Sequence, residues 1–256
     1  MKVFLASIIP SKLCGKLFRW FATRKWPFLI RRFRSAYAID ESLAIVPEGG
    51  FPTLMDFFLR EPKPECRPID QEEAVLVTPT ESLLSEMGEV REDSFMVVKG
   101  EKSTFSALFE KEPAAYDGWL YAVLYLSPAD FHRIYAPCDA KLTGSKLIKG
   151  AKKPVFLSYV KKHPDVFITN QREVMEFDTG RGRFLMAAVG ALNVGEITTK
   201  FKEGEPYKAK KGCEIAAFEF GSTVVIAFEN ERFQFAEGVE PGRKMKLGEA
   251  IAGFKG

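Results

Sequence analysis

Histidine is nearly missing from this chain: His132 and His163 are the only two among 256 residues. A His-rich metal centre therefore has almost no ligands to draw on. Cysteine is scarce as well. Cys14, Cys66, Cys138 and Cys213 are scattered with no CxxC pair, so neither a zinc knuckle nor a secreted disulfide framework is expected, and a reducing compartment is the simpler reading. No apolar run reaches the roughly 18–20 residues that a spanning helix needs, because Lys12, Lys16 and Arg19 interrupt the stretch that opens at Val3. No GxSxG elbow, Walker loop or GxGxxG turn is present. No acidic residue precedes Asp40.

What the stretch before Asp40 does hold is a set of nine cations: Lys2, Lys12, Lys16, Arg19, Arg24, Lys25, Arg31, Arg32 and Arg34. A segment of charge +9 is thus joined to a body of −6. Between the cations stand apolar and aromatic residues, Trp20 and Trp26 among them, the composition of a helix lying in the headgroup plane of a membrane. Each basic residue close to an anionic leaflet adds about 1 kcal/mol of attraction, so even half of them would supply several. Two plainer readings stand beside this one. The segment could simply pack on the body with its cations solvated, or serve as a nucleic-acid arm, although such an arm is usually polar between its cations. A cleaved signal peptide is not expected, since no small-residue cleavage pattern follows Pro10.

With 46% hydrophobic and 28% charged residues, the chain can bury a sizeable core. Ser35 to Asp70 reads as helix and loop, broken at Gly49-Gly50 and Pro52, with a short amphipathic run, TLMDFFLRE, before Pro62. Beyond it lie strand-length runs of β-branched and aromatic residues: AVLVTP, SFMVVKG, GWLYAVLYLSP, PVFLSYV, DVFITN, RFLMAAVGAL, CEIAAFEFG and STVVIAF. No long helical pattern intervenes. The spacing predicts an α+β fold, a mostly antiparallel or mixed β core with N-terminal amphipathic, membrane-associated helices. The expected organisation is a basic helical region over residues 1–60 and a β-rich domain, carrying any chemistry, over 61–256.

Few residues stand out as chemical. His132 lies in SPADFHRIYAP, between Asp130 and Arg133, and a lone histidine so placed is more often structural than catalytic. Two Gly-Ser bonds, Gly144-Ser145 and Gly221-Ser222, are each ordinary turn chemistry taken alone. Taken together and in order, however, the segments YAID, FFLREPKPECRPID, LVTPTES, VVKG, LSPADFHRIYAP, RFLMAAVGALNVGEI and KGCEIAAFEFGSTVVIAF resemble the phosphatidylserine decarboxylase proenzyme family along nearly the whole chain.

That resemblance implies a self-processing enzyme needing no external cofactor. The chain would break between Gly221 and Ser222, and Ser222 would become a covalent pyruvoyl group that takes the substrate amine as a Schiff base. Phosphatidylserine would leave as phosphatidylethanolamine and carbon dioxide, with His132 at the substrate headgroup. A peripheral location on the cytoplasmic face of the cell membrane follows from the family and the basic arm, as does a homodimer of processed heterodimers; no nucleic-acid partner and no metal are implied. The chain also departs from the family. Where the family's processing relay has an Asp and a second His, this sequence carries Glu81 and Tyr135. An ordinary tyrosine is ionised in roughly one molecule per thousand at pH 7, a handicap of about 4 kcal/mol if the phenolate must be the base. The alternative reading is an uncleaved, non-catalytic homologue that binds membrane phospholipid.

Overall fold

The computed structural model of the chain describes residues 19–98, 101–112, 116–191, 196–219 and 222–255. Lys2, Lys12, Cys14 and Lys16 therefore lie outside the described residues.

Helix α1 (Pro27–Tyr37) starts on a proline, whose fixed φ suits the first helical position and whose missing N–H is not needed there. It stops where Ala38 turns left-handed (φ 50°) and donates back to the last carbonyls. Helix α2 (Leu54–Phe58) opens with a reciprocal cap: Asp56 N–H donates to Thr53 Oγ1 at 3.2 Å, and Thr53 N–H donates to Asp56 Oδ2 at 3.1 Å. The strands begin after it, with β1 (Val75–Val77), β2 (Ser82–Glu89), β3 (Ser94–Val98) and β4 (Glu101–Thr104), then helix α3 (Phe105–Phe109). Next come β5 (Leu120–Leu126), β6 (Arg133–Tyr135) and β7 (Ala140–Ile148), the single-turn helices α4 (Leu157–Val160) and α5 (Val166–Thr169), and β8 (Arg172–Asp178) and β9 (Arg183–Gly190). The chain closes with β10 (Ile197–Thr199), β11 (Tyr207–Ala209), β12 (Glu214–Phe218), β13 (Ser222–Phe228), β14 (Phe233–Phe235), β15 (Lys244–Met245) and β16 (Ala250–Phe254).

Eight of these strands form one antiparallel sheet in the order β11-β7-β8-β9-β13-β5-β2-β15. Strand β13 sits inside it, in register with β5 on one side and β9 on the other, and all seven of its residues are buried. Its apolar side chains alternate between two cores. Val225 and Ala227 face a core filled by the helices, including Phe57 and Phe58 of α2, Phe105 and Phe109 of α3, and Phe167 of α5. Val224, Ile226 and Phe228 face a second core closed by two small sheets, β10-β12-β6 and β1-β16-β14. The fold is α+β and mostly antiparallel, as the run pattern predicts.

Two predicted strands are helical turns. PVFLSYV holds α4 and DVFITN holds α5. Apolar runs this short cannot be assigned by period alone, and over one turn the propensity penalty of β-branched residues is small. Tertiary contacts decide the outcome: Val160, Val166 and Phe167 enter the helix-side core, while Asn170 Nδ2 donates to the Lys153 and Gly190 carbonyls, both at 2.8 Å, and anchors the pair. Gly144-Ser145, expected in a turn, lies within β7 at a bulge opposite β8.

Phe57 joins α2 to α1 and to the sheet, with its ring 6.4 Å from that of Phe33 and 5.3 Å from that of Phe51. Phe57→Ala should cost about 3–5 kcal/mol. A fall in the thermal midpoint on the order of 10 °C is expected by calorimetry, and a shift under about 2 °C would refute this placement of the core.

Candidate active site

The site is built where β13 begins. Ser222 heads the strand, paired across to Leu126 and Gly190, and its Oγ is buried without a hydrogen-bond partner. Thr223 Oγ1, next along, is buried and unpartnered as well. A buried hydroxyl left unsatisfied costs about 1–3 kcal/mol, so two in succession at a strand head mark a position kept for something other than stability. Gly221, predicted to lie on the other side of the scissile bond, is outside the described residues, as is Phe220.

His132 is tied by backbone pairing to the end of β12, four residues before Ser222. Phe218 N–H, at the end of β12, donates to the His132 carbonyl at 2.9 Å. The imidazole is wholly buried, its ring centroid 3.9 Å from that of Phe58. Its Nδ1 lies 3.0 Å from the Asp130 carbonyl oxygen. A carbonyl can only accept, so Nδ1 carries the proton and Nε2 keeps its lone pair. That Nε2 is buried and unpartnered. Burial pushes the imidazole pKa down to about 3, with Arg60 and Lys244 adding to the shift, so His132 is neutral at physiological pH.

The turn carrying His132 is held by its own neighbours Asp130 and Arg133 and by charged groups from elsewhere in the chain. Asp130 accepts from Ser127 N–H at 2.8 Å and from Ser127 Oγ at 2.9 Å, and pairs with Lys244. Arg60 is buried, donates to the Ala129 carbonyl at 2.5 Å, and lies over the rings of Phe57 and Phe131. Burial lowers its guanidinium pKa to about 10, which still leaves it charged. Arg67 lies over Phe131 too, and its Nε donates to Glu81 Oε2 at 2.6 Å. Arg133 donates through Nε to the Leu59 carbonyl at 2.8 Å and pairs with Glu61 and Glu214.

The predicted relay residues thus have definite neighbours. Glu81 takes its hydrogen bond from Arg67, in the network around Phe131. Tyr135 lies beside the same turn, since its N–H donates to the Pro79 carbonyl at 2.9 Å, and it is registered opposite Glu214. Burial raises its phenol above the ordinary value, so it is a proton donor at neutral pH. Sequence reasoning misses Arg60, Arg67, Asp130 and Lys244 as site residues. The two arginines are visible within FFLREPKPECRPID, whereas nothing local marks Lys244.

Comparison with known proteins shows the family of the chain. The family described as "Phosphatidylserine decarboxylase" matches residues 54–253. Similar curated proteins carry the name phosphatidylserine decarboxylase proenzyme. That of Brevibacillus brevis is 33% identical over 87% of this chain and 86% of its own length, and that of Polaromonas naphthalenivorans 34% identical over 88% and 85%. The Coxiella burnetii protein is 31% identical over 96% of both chains.

The buried imidazole predicts a pH dependence of stability. The unfolded chain protonates His132 near pH 6.5 and the folded chain only near pH 3, so its contribution is intact above about pH 7 and shrinks as the pH falls through that window. The loss approaches about 1.4 kcal/mol per pH unit. Urea unfolding of the protein and of His132→Gln at pH 7 and pH 5 should show the variant losing less stability. Equal losses would mean that the imidazole titrates normally in the fold.

Proposed function

The chain belongs to the phosphatidylserine decarboxylase family, and on that premise we propose that it cuts itself between Gly221 and Ser222 before decarboxylating phosphatidylserine to phosphatidylethanolamine. The carrying observation is the Ser222 hydroxyl, buried and unpartnered at the head of the central strand, with the Nε2 of His132 likewise orphaned beside the preceding strand. These residues suit a covalent pyruvoyl group formed from the chain itself.

Maturation would begin when Ser222 Oγ attacks the Gly221 carbonyl carbon. The bond to the Ser222 nitrogen breaks, the hydroxyl proton ends on that nitrogen, and an ester joins the two halves. Loss of the Ser222 Cα proton then expels the Gly221 carboxylate and leaves dehydroalanine, which takes up one water and releases ammonia to leave a ketone at position 222. Catalysed proton removal requires an acceptor within hydrogen-bond reach, and the lone pair on His132 Nε2 is the candidate that the buried turn supplies. At the relay positions, Tyr135 would act as a neutral donor and Glu81, held by Arg67, as the carboxylate that orients the turn.

The pyruvoyl group supplies a carbonyl that takes up the substrate amine and the electrons released with carbon dioxide. The chain's own contribution is a dry pocket wall, with neutral His132 against Phe58 available to orient the substrate or move a proton.

A membrane-embedded substrate also gives the N-terminal segment a role. Leu29, Ile30 and Phe33 of α1 pack on the body, while Trp20, Phe21 and Phe28 stand exposed in contact with Trp26. Arg24 lies over the Trp20 ring at 5.0 Å. Among the described residues no helix is long and apolar enough to cross a membrane. We place this aromatic and basic patch in the interface of an anionic leaflet, peripheral on the cytoplasmic face.

Intact mass under denaturing conditions tests maturation. Two chains split at 221/222, the smaller with a blocked pyruvoyl terminus, are expected from the native sequence, and one unbroken chain of 28.8 kDa from Ser222→Ala. An unbroken native chain after long incubation would overturn the proposal and leave a phospholipid-binding relative. Replacing Trp20, Phe21 and Phe28 together by Ala should weaken co-sedimentation with phosphatidylserine-containing vesicles at least tenfold, because even partial burial of three large apolar side chains is worth more than one decade of affinity. Undiminished sedimentation would remove the patch from the interface.

A further inference from the structure

The N-terminal segment reaches the strand that leads into the scissile bond. Arg19 Nη2 lies 3.0 Å from Glu219 Oε1, and Arg19 Nη1 lies 3.2 Å from Glu196 Oε1. The two contacts differ in kind. Glu196 is 63% exposed on its side chain, so its pair with Arg19 is a rim contact of little energetic weight. The Glu219 side chain is 10% exposed, and its second oxygen, Oε2, is buried with no hydrogen-bond partner. A charge so placed depends on its counter-ion, and removing that partner costs more than a surface pair is worth. Burial raises the Glu219 carboxyl and Arg19 is the first group opposing that rise, with Lys152 also acting to lower it.

Glu219 stands two residues before Gly221. Downstream, Ser222 is held by β5 and β9. Upstream, Phe218 is bonded to the His132 carbonyl, and Glu219 N–H donates to the Glu196 carbonyl at 3.1 Å. Fixed points thus stand on both sides of the proposed cutting position, at Phe218–Glu219 and at Ser222, and the side chain of Glu219 adds a tether that comes from outside the sheet. Attack by Ser222 Oγ on the Gly221 carbonyl depends on alignment, and a misplacement of about 1 Å can cost on the order of a hundredfold.

We propose that Arg19 is a positioning residue for maturation: its ion pair with Glu219 fixes the upstream side of the scissile bond, so that cutting is fast only when the N-terminal segment is docked on the body. This rests on the self-processing reading above. The arm that carries the exposed aromatic patch thereby also gates the formation of the active chain pair.

The test follows the splitting of newly synthesised chains with time, by intact mass after cell-free translation. Arg19→Ala and Glu219→Ala should each slow splitting by about tenfold or more, and the double variant should be no slower than the worse single one. Arg19→Lys should recover most of the rate, and Glu196→Ala should stay within about twofold of the native chain. Thermal midpoints are compared in a Ser222→Ala background, where no chain splits: Arg19→Ala should lower the midpoint by stranding the Glu219 charge, and adding Glu219→Ala should restore it. Splitting of Arg19→Ala at the native rate, additive slowing in the double variant, or a double variant whose splitting recovers together with its midpoint would each overturn the inference alone. A native chain that never splits would instead overturn the self-processing reading, and the inference with it.

Discussion

Burial of β13 on both faces is the constraint from which the rest of the molecule follows. Consecutive residues with no exposed side chain require two cores, and the chain supplies them with helices on one face and two small sheets on the other. The alternation that sorts Val224 and Ile226 from Val225 and Ala227 also sets the strand head, because a slip of one residue would exchange every side chain between the cores. Ser222 and Thr223 are therefore carried into a dry region by the packing of their apolar neighbours. Their unsatisfied hydroxyls are tolerated there because the strand behind them is so heavily anchored.

The same dryness governs the histidine. In water an imidazole with an ordinary pKa would be partly charged at neutral pH, whereas the wholly buried His132 is neutral, with one tautomer selected by the Asp130 carbonyl. Keeping that turn in place falls to cations, three of them from remote parts of the chain and one, Arg133, from the turn itself. Arg60 and Arg67 share the Phe131 ring, Lys244 meets Asp130, and Arg133 ties the turn to the segment after α2. Planar guanidinium groups suit this work, since they stack on rings and donate in several directions at once. The Glu81 carboxylate is held as the partner of Arg67.

The N-terminal segment divides its apolar residues between the body and the surface. Helix α1 does pack on the body, through Leu29, Ile30 and Phe33, yet a separate set of rings remains outward beside basic side chains. Of the outward rings Trp20, Phe21 and Phe28, only Phe28 belongs to α1, while Trp20 and Phe21 precede it.

Much of this is open to reading from the residues. Strand-length β-branched runs predict the sheet, and the run STVVIAF coincides with β13 to the residue. The ordered segments around His132 and Ser222 place both residues in one family-like frame before any coordinates. What the sequence could not disclose are the contacts between distant positions. Arg133 meets Glu214 and Lys244 meets Asp130 across long stretches of chain, and Arg19 meets Glu219 from the opposite end of the molecule's sequence. Nor could it tell the one-turn helices α4 and α5 from strands, because so short an apolar run satisfies either period and only the pocket it fills chooses. Composition and spacing determined most of the strands, since those depend on forces acting between near neighbours, whereas Ser222 was singled out only by the family resemblance of the segments around it. The neutral state of the histidine, the partner of Glu81 and the reach of Arg19 to Glu219 were decided by tertiary packing alone, because burial and charge pairing exist only once remote segments have met.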